Sequence, residues 1–342
     1  MAALRIVHAV CTAAFAGVER SVAILAATQL DSGHQVGVIG GDPVSMRAAL
    51  DRGEVRYRPA ATVLAAARAI DAWRRCDVLH VHMTAAEAAS VLAVRAWHVP
   101  VVASRHFAQT RGLSLPGHLA APLIRRRVSA QIAVSHWVAA KIDGDSTVVH
   151  PGVPSLSGRR PAAQRELSVL VAQRLEAEKE TRVAVEAFGL SGLADRGWRL
   201  DIAGDGAQRA ELTRLAHGLG LDSSVHFLGF RPDIPALMQA TGILLAPAAA
   251  EGLGLTVLEA MAAGLPVVAA GAAGHLETMG AAAEPAVFPP GDAVTAAALL
   301  ARLADDVDLR DAYGAELQVI QRDRFTVEAQ ARSTEAVYRG VL

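Results

Sequence analysis

What most constrains this chain is an alternation between short, uniformly apolar runs and segments of helical periodicity. The clearest instance spans residues 242–270. Gly242-Ile243-Leu244-Leu245-Ala246-Pro247 reads as a strand buried on both faces, and Val267-Val268-Ala269-Ala270 reads as another. Between them come a glycine turn, Gly252-Leu253-Gly254, and an apolar stretch with helical character. A strand-helix-strand unit of this kind makes a right-handed parallel crossover. The pattern recurs on both sides. Strands are expected over 4–10, 35–39, 77–82, 99–104, 130–134 and 147–150, with helices over 18–32, 62–75, 85–97, 119–127 and 136–142. From 167 onward, strands over 167–172, 199–203, 225–228 and 286–288 join the central pair. Helices are expected over 180–189, 207–217, 234–240, 294–305, 309–322 and 327–341. The fold class is therefore α/β, two Rossmann-like domains with doubly wound parallel sheets. Pro151-Gly152-Val153-Pro154 breaks the first run, and a stretch rich in Ser, Gly, Arg and Pro follows. The expected domains are 1–155, a linker at 156–165, 166–326, and a last helix at 327–342 with Thr326 as its N-cap. A cleft between two such domains is a usual place for a small ligand.

Composition closes off other classes. The chain has 342 residues, enough for two domains, and a net charge of −1, which argues against bulk electrostatic binding of nucleic acid. Its two cysteines, Cys11 and Cys76, are far apart and form no C-x-x-C motif, which suits a reducing, cytoplasmic setting. The apolar run at 4–10 is too short for a signal-peptide core, and no apolar run reaches the roughly 18 residues of a membrane span.

The candidate site residues cluster where strands end. Glu251 precedes the helix of the central unit and Glu259 lies near the middle of it. In an open α/β sheet ligands bind at strand C-termini, and backbone N–H groups at a helix start attract anions. Taken alone, Glu251 would be an acid complementing the helix dipole. With the glycines and Glu259 beside it, a ligand site is the better reading. Arg174 and Lys179 follow the strand at 167–172 and suit a diphosphate, Arg174 as a fork and Lys179 as a point charge. The alternative is a surface loop in which they pair with Glu176, Glu178 or Glu180. Gly17 ends the loop before the first helix and lets a phosphate or sugar approach the backbone, though no G-x-G-x-x-G fingerprint is present. His80 and His82 share one face of a strand. No third ligand stands at motif spacing, so packing is favoured over a metal. His106, just past a strand, could bond a sugar hydroxyl or act as a base, but a lone histidine is usually structural, and the residues alone leave both readings open. Asp143-Gly144-Asp145 and Asp306-Val307-Asp308 read as turn or cap residues rather than metal ligands. Arg125-Arg126-Arg127 closes a short helix. It fits either contact with anionic lipid or a cation-rich helix end, and the second is favoured.

The stretch Glu251-Gly252-Leu253-Gly254-Leu255-Thr256-Val257-Leu258-Glu259-Ala260-Met261-Ala262-Ala263-Gly264-Leu265-Pro266 closely resembles the signature of glycosyltransferase family 4, retaining enzymes of the GT-B fold that use nucleotide sugars. Arg174 and Lys179 resemble that family's cation pair. Ile202 to Gly206, Val225 to Phe230 and Gly274-His275-Leu276-Glu277 follow in the same order, and Gly17-Val18-Glu19-Arg20 resembles its G-G-x-E-R segment. Three positions depart from the pattern: Ala16, Glu180 and Ala273 stand where the family has glycine. The resemblance implies a co-substrate, a UDP or GDP sugar, with neither cofactor nor metal. Arg174 and Lys179 would neutralise its diphosphate. Glu251 would hold sugar hydroxyls beside the N–H groups of Gly252, Leu253, Gly254 and Leu255. Glu259 would take the ribose, Phe230 and Arg231 would lie near the base, and His106 would contact the sugar. It also implies that the last helix crosses back onto the first domain. The partners implied are the donor and a hydroxyl acceptor, with peripheral contact at the inner face of a membrane left open. A nucleotide-sugar 2-epimerase and an inactive sugar-nucleotide-binding subunit are the alternatives.

Overall fold

The computed structural model describes residues 2–50, 54–111 and 115–342. The chain divides into two compact units, residues 1–152 with 327–342, and residues 153–326. The first contains β1 (Arg5–Val10), α1 (Gly17–Asp31), β2 (Gln35–Ile39), α2 (Pro43–Ala49), β3 (Arg56–Arg58), α3 (Val63–Ala72) and β4 (Val78–His82). It continues with α4 (Met83–Leu92), β5 (Val101–Arg105), α5 (Leu115–Arg127), β6 (Ala130–Ala133), α6 (His136–Ala139) and β7 (Thr147–Val148). The second contains β8 (Glu166–Ala172), α7 (Thr181–Leu190), β9 (Arg199–Ala203), α8 (Arg209–Gly218), β10 (Val225–Gly229), α9 (Ile234–Ala240) and β11 (Thr241–Ala246). Then come α10 (Leu255–Ala262), β12 (Val267–Ala270), α11 (Ala273–Met279), β13 (Val287–Phe288), α12 (Ala293–Asp305) and α13 (Val307–Arg324). The last helix, α14 (Val327–Arg339), belongs to the first unit.

Each unit is built on a parallel sheet. The strand order is β3-β2-β1-β4-β5-β6-β7 in the first and β10-β9-β8-β11-β12-β13 in the second. In each, the order reverses once, between β1 and β4 and between β8 and β11. Helices leave the neighbouring strands to opposite faces at such a point, and a crevice opens at the strand C-termini. The apolar runs are strands because both of their faces are covered. In the first unit Val7, Ala9, Leu79, Val81, Val101 and Ala103 join one core cluster with residues of α3 and α4. Leu4, Ile6, Val78 and Val102 join another with Tyr338 of α14. The alternation of side chains along a strand puts His8, His80 and His82 on that second face.

Several expected elements shift. The stretch at 40–61 holds α2 and β3, which periodicity does not reveal. The three residues of β3 lie at the sheet edge and are largely exposed, so they carry no apolar run. Asp42 caps α2 by accepting from the Ser45 amide at 2.8 Å. The glycine-to-glutamate segment at 274–277 lies within α11, which the expected elements do not include. The stretch expected as a linker is tied into the second unit. Arg159 makes a two-pronged pair with Asp311 at 2.5 and 2.7 Å, and Ala162 donates to the same carboxylate at 2.7 Å. The buried Arg165 guanidinium donates to the carbonyls of Met238 (2.8 Å), Thr241 (3.0 Å) and Ala263 (2.7 Å), closing the ends of α9 and α10. Asp143 also does more than make a turn. It accepts from Arg111 Nη1 and Arg125 Nε, both at 2.9 Å, and the facing Arg cations hold its carboxyl well below the usual range. Arg111 in turn pairs with the fully buried Glu87 at 2.6 Å. Of the basic triplet, Arg125 is thus engaged by Asp143, and Arg127 is buried on the carbonyls of Ala96 and Val99 at 3.0 Å each. Asp306 caps α13 through the Leu309 amide, as its position suggests.

Candidate functional site

The second sheet reverses between β8 and β11, and the loops that leave these two strands carry Lys179 and Glu251. Their side chains form an ion pair, Nζ to Oε1, with each side chain about four-fifths buried. Residues 72 apart in sequence meet there because β8 and β11 are neighbours, with Leu170 in register with Leu244. The Lys179 carbonyl accepts from the amide of Gln173 at 2.8 Å, and the same Gln173 nitrogen donates to Thr181 at 2.9 Å. This closes the loop between β8 and α7 and fixes the lysine.

Glu251 sits on an equally tight loop. Gly254 caps α10 at φ +91°, and a side chain there would meet the His275 ring at 2.8 Å. Only glycine satisfies both conditions. Gly274, in the first turn of α11, lies against the same loop and donates its amide to the Glu251 carbonyl at 3.1 Å. His275 beneath it is buried and donates from Nδ1 to the Ala270 carbonyl (3.1 Å), and burial lowers its basicity. His275 is the site residue that sequence reasoning passes over. Its only signal is its place after Gly274. Glu259 is half-buried on α10.

The other expected residues are placed less centrally. Arg174 is exposed and pairs with Glu178 at 3.0 Å, which is the surface-loop alternative. Exposed pairs of this kind are weak and easily exchanged for a better anion. Phe230 is 79% exposed, and Arg231 forks onto Asp233 at 2.5 and 2.7 Å. In the first unit, Gly17 opens α1 just after the N-cap Ala16, whose amide donates to Glu19 at 2.8 Å. His106 follows β5, and its Nε2 lies 3.2 Å from His82 Nδ1. Burial pushes its pKa down to about 4.

The three departures from the family pattern separate on backbone conformation. Glu180 has φ +51° and Ala273 has φ +51°, both left-handed, where glycine is the unstrained residue. Ala16 is extended at φ −129°, so nothing in its conformation calls for glycine.

Residues 156–318 match the family model of glycosyl transferases group 1, and residues 15–155 match that of Glycosyltransferase Family 4. The chain belongs to the family-4 glycosyltransferases. Among its relatives is a 2-deoxystreptamine glucosyltransferase of Streptomyces kanamyceticus, 37% identical over 39% of this chain and 35% of that one. Another is a lipopolysaccharide core mannosyltransferase of Rhizobium meliloti, 29% identical over 64% and 67%. The chain thus spans only about a third of the first of these relatives. Among solved structures, Anabaena HepE in complex with UDP and glucose superposes with a TM-score of 0.80 at 20% identity, covering 98% of this chain and all of that one. The fold is GT-B, as the resemblance implies. No helix among the described residues of this family-4 chain is long and apolar enough to cross a membrane.

Proposed function

We propose that this chain is a retaining glycosyltransferase that moves a hexosyl group from a nucleoside-diphosphate sugar to a hydroxyl acceptor, without a metal. The observation that carries the reading is the Lys179–Glu251 pair at the sheet reversal, held over the 252–254 turn. When the donor binds, Lys179 exchanges the carboxylate for a diphosphate oxygen. Glu251 is then free to accept from sugar hydroxyls. Arg174 gives up Glu178 and adds a second cation. As the bond between the anomeric carbon and the β-phosphate oxygen breaks, its electron pair stays on the phosphate, where the two cations stabilise it. The acceptor oxygen attacks the same face, and its proton passes to the departing phosphate. Glu259 accepts from the ribose, and Phe230 and Arg231 border the base; in the first unit, His106 and Gly17 are the candidates for contact with a sugar. UDP is the favoured nucleotide, since HepE has been solved with UDP-glucose. The two relatives act on different acceptors, so the acceptor class is open to lipids, cyclitols, glycans and secondary metabolites. We place the protein in the cytoplasm, in contact with a membrane only where the acceptor lies in one.

The test is calorimetric titration with UDP and GDP sugars, followed by turnover on an acceptor panel with excess chelator. Glu251→Ala should lose transfer while keeping the wild-type melting temperature within a few degrees. Transfer that survives that substitution, or that stops with chelator, would sink the assignment. The anomeric configuration of the product, read by NMR, decides retention.

A further inference from the structure

The first unit reverses between β1 and β4, and there three buried histidines that the proposed reaction does not use lead to the partly buried His106. His8 on β1 and His80 on β4 are register neighbours, His82 lies two residues on, and His106 follows β5. Helix α1 contributes Gln29, α14 contributes Tyr338, and β5 contributes Ser104. We propose that these seven side chains form one directional hydrogen-bond chain that holds His106 as its Nε2–H tautomer, leaving Nδ1 to accept from a hydroxyl of the sugar substrate. The inference rests on the reading of His106 as a sugar contact and deepens it.

The direction follows from counting protons. Burial lowers the basicity of all four imidazoles, so each is neutral near pH 7 and carries a single N–H. A neutral ring that donates at one nitrogen must accept at the other. Gln29 starts the chain, with Oε1 2.7 Å from His8 Nε2 and Nε2 3.3 Å from the Tyr338 hydroxyl. His8 therefore donates from Nε2 and accepts at Nδ1, 3.1 Å from His82 Nε2. His82 then donates from Nε2 and accepts at Nδ1 from His106 Nε2 at 3.2 Å. On the other arm, Tyr338 donates to His80 Nδ1 at 2.6 Å, and His80 Nε2 donates to Ser104 Oγ at 2.8 Å. No link from Gln29 through His8 and His82 to His106 can reverse alone, because two N–H groups or two lone pairs would then face each other; reversing the His80 arm would instead leave the hydrogen of the buried Tyr338 hydroxyl without its acceptor. Only turning the Gln29 amide reverses the whole. His106 Nδ1 makes no hydrogen bond among the described residues, so it is the free end of the chain.

The same histidines have the spacing of a metal site: one nitrogen each from His8, His80 and His82 lies within 4.8 Å of the others. All six ring nitrogens of these three are already hydrogen-bonded, however, and a cation would have to break at least two of those bonds. The hydrogen-bond chain accounts for every nitrogen, and the metal does not. His106 is the residue that touches substrate. Gln29, His8 and His82 are positioning residues, and Tyr338 orients the Gln29 amide.

Long-range proton–nitrogen correlation spectra of the full chain read each tautomer directly. The expected result is Nε2–H at His8, His80, His82 and His106, unchanged by added Zn2+. Gln29→Met keeps volume but removes the acceptor, so His106 should become a mixture of tautomers. Turnover should then fall tenfold or more while the donor KM stays within twofold. Tyr338→Phe, which preserves packing, should show a smaller change of the same kind and serves if Gln29→Met fails to fold. An Nδ1–H signal at His106 in the wild type would overturn the chain while leaving the sugar contact untouched. Zn2+ shifting the His8, His80 and His82 signals would overturn it in favour of a metal centre. A mixed tautomer with unchanged turnover would overturn the proposal by removing His106 from the reaction, and that outcome also defeats the sugar contact.

Discussion

Gly274 offers a test of the proposed donor loop that leaves the side chains assigned to the ligand untouched. A Cβ built on it would lie 2.3 Å from Leu253 Cα, 2.6 Å from the Gly252 carbonyl oxygen and 2.7 Å from the Leu253 amide nitrogen. Ordinary contact begins at 3.4 Å, so Gly274→Ala forces the loop and α11 apart by roughly 1 Å. The obstacle is backbone, and the loop cannot simply retreat. Leu253 is buried in the second unit's core, and Gly254 already abuts His275. Overpacking of this kind costs about 1–3 kcal/mol. A displacement of about 1 Å at a positioned site costs about 100-fold in activity. The backbone at Gly274 is compatible with alanine, since its φ is not in the left-handed region, so sterics alone are tested. The expected result is a folded protein melting a few degrees lower, with donor affinity weakened by calorimetric titration and turnover down about 100-fold. Gly218→Ala, at the end of α8 in open space, is the control and should leave all three unchanged. If Gly274→Ala binds UDP and the sugar nucleotide like the wild type at unchanged turnover, the 252–254 loop is not the donor cradle.

The remaining expectations are simpler. Glu180→Gly and Ala273→Gly each relieve a left-handed backbone and should raise stability by about 1 kcal/mol, some 2–4 °C in melting temperature. Glu180 adds a buried carboxylate oxygen with no partner and a pKa raised by burial, so its replacement should be the more favourable of the two. Lys179→Ala should cut turnover by about 10²–10³ with little change in melting temperature, since it removes a cation from the departing diphosphate. Equal turnover would exclude that role. Acid should weaken the first unit. The pKa of buried His8 falls from 6.5 to about 4, so the unfolded chain binds its proton first, and stability drops as pH falls through that window. The loss from His8 alone is about 3 kcal/mol by pH 4, with His80 and His82 pushing the same way. Melting temperatures that stay flat between pH 7 and 4 would refute the buried, neutral state of this cluster.

Much of the fold is local information. A run such as Val267-Val268-Ala269-Ala270 can only be a doubly covered strand, and Gly33 ends α1 at φ +88° as its position after Ser32 implies. The exposed residues of β3 carry no such signal, because an edge strand has no second neighbour to bury it. The tie of Arg165 to three carbonyls was equally hidden, since its partners lie 73 to 98 residues away.

By itself the sequence determined the alternation of elements, the parallel crossovers, the glycine turn before α10 and the residue types able to grip a diphosphate. These depend on side-chain period and on what each residue allows its own backbone. Only the tertiary structure decided which strands became neighbours. Strand order put Lys179 against Glu251 and left Arg174 with Glu178. It also brought His8, absent from any motif, beside His80 and His82, and drew Tyr338 of the last helix to them. The reason is that parallel neighbours are joined through long crossovers, so the register that sets these contacts is fixed by packing of whole layers, not by spacing along the chain.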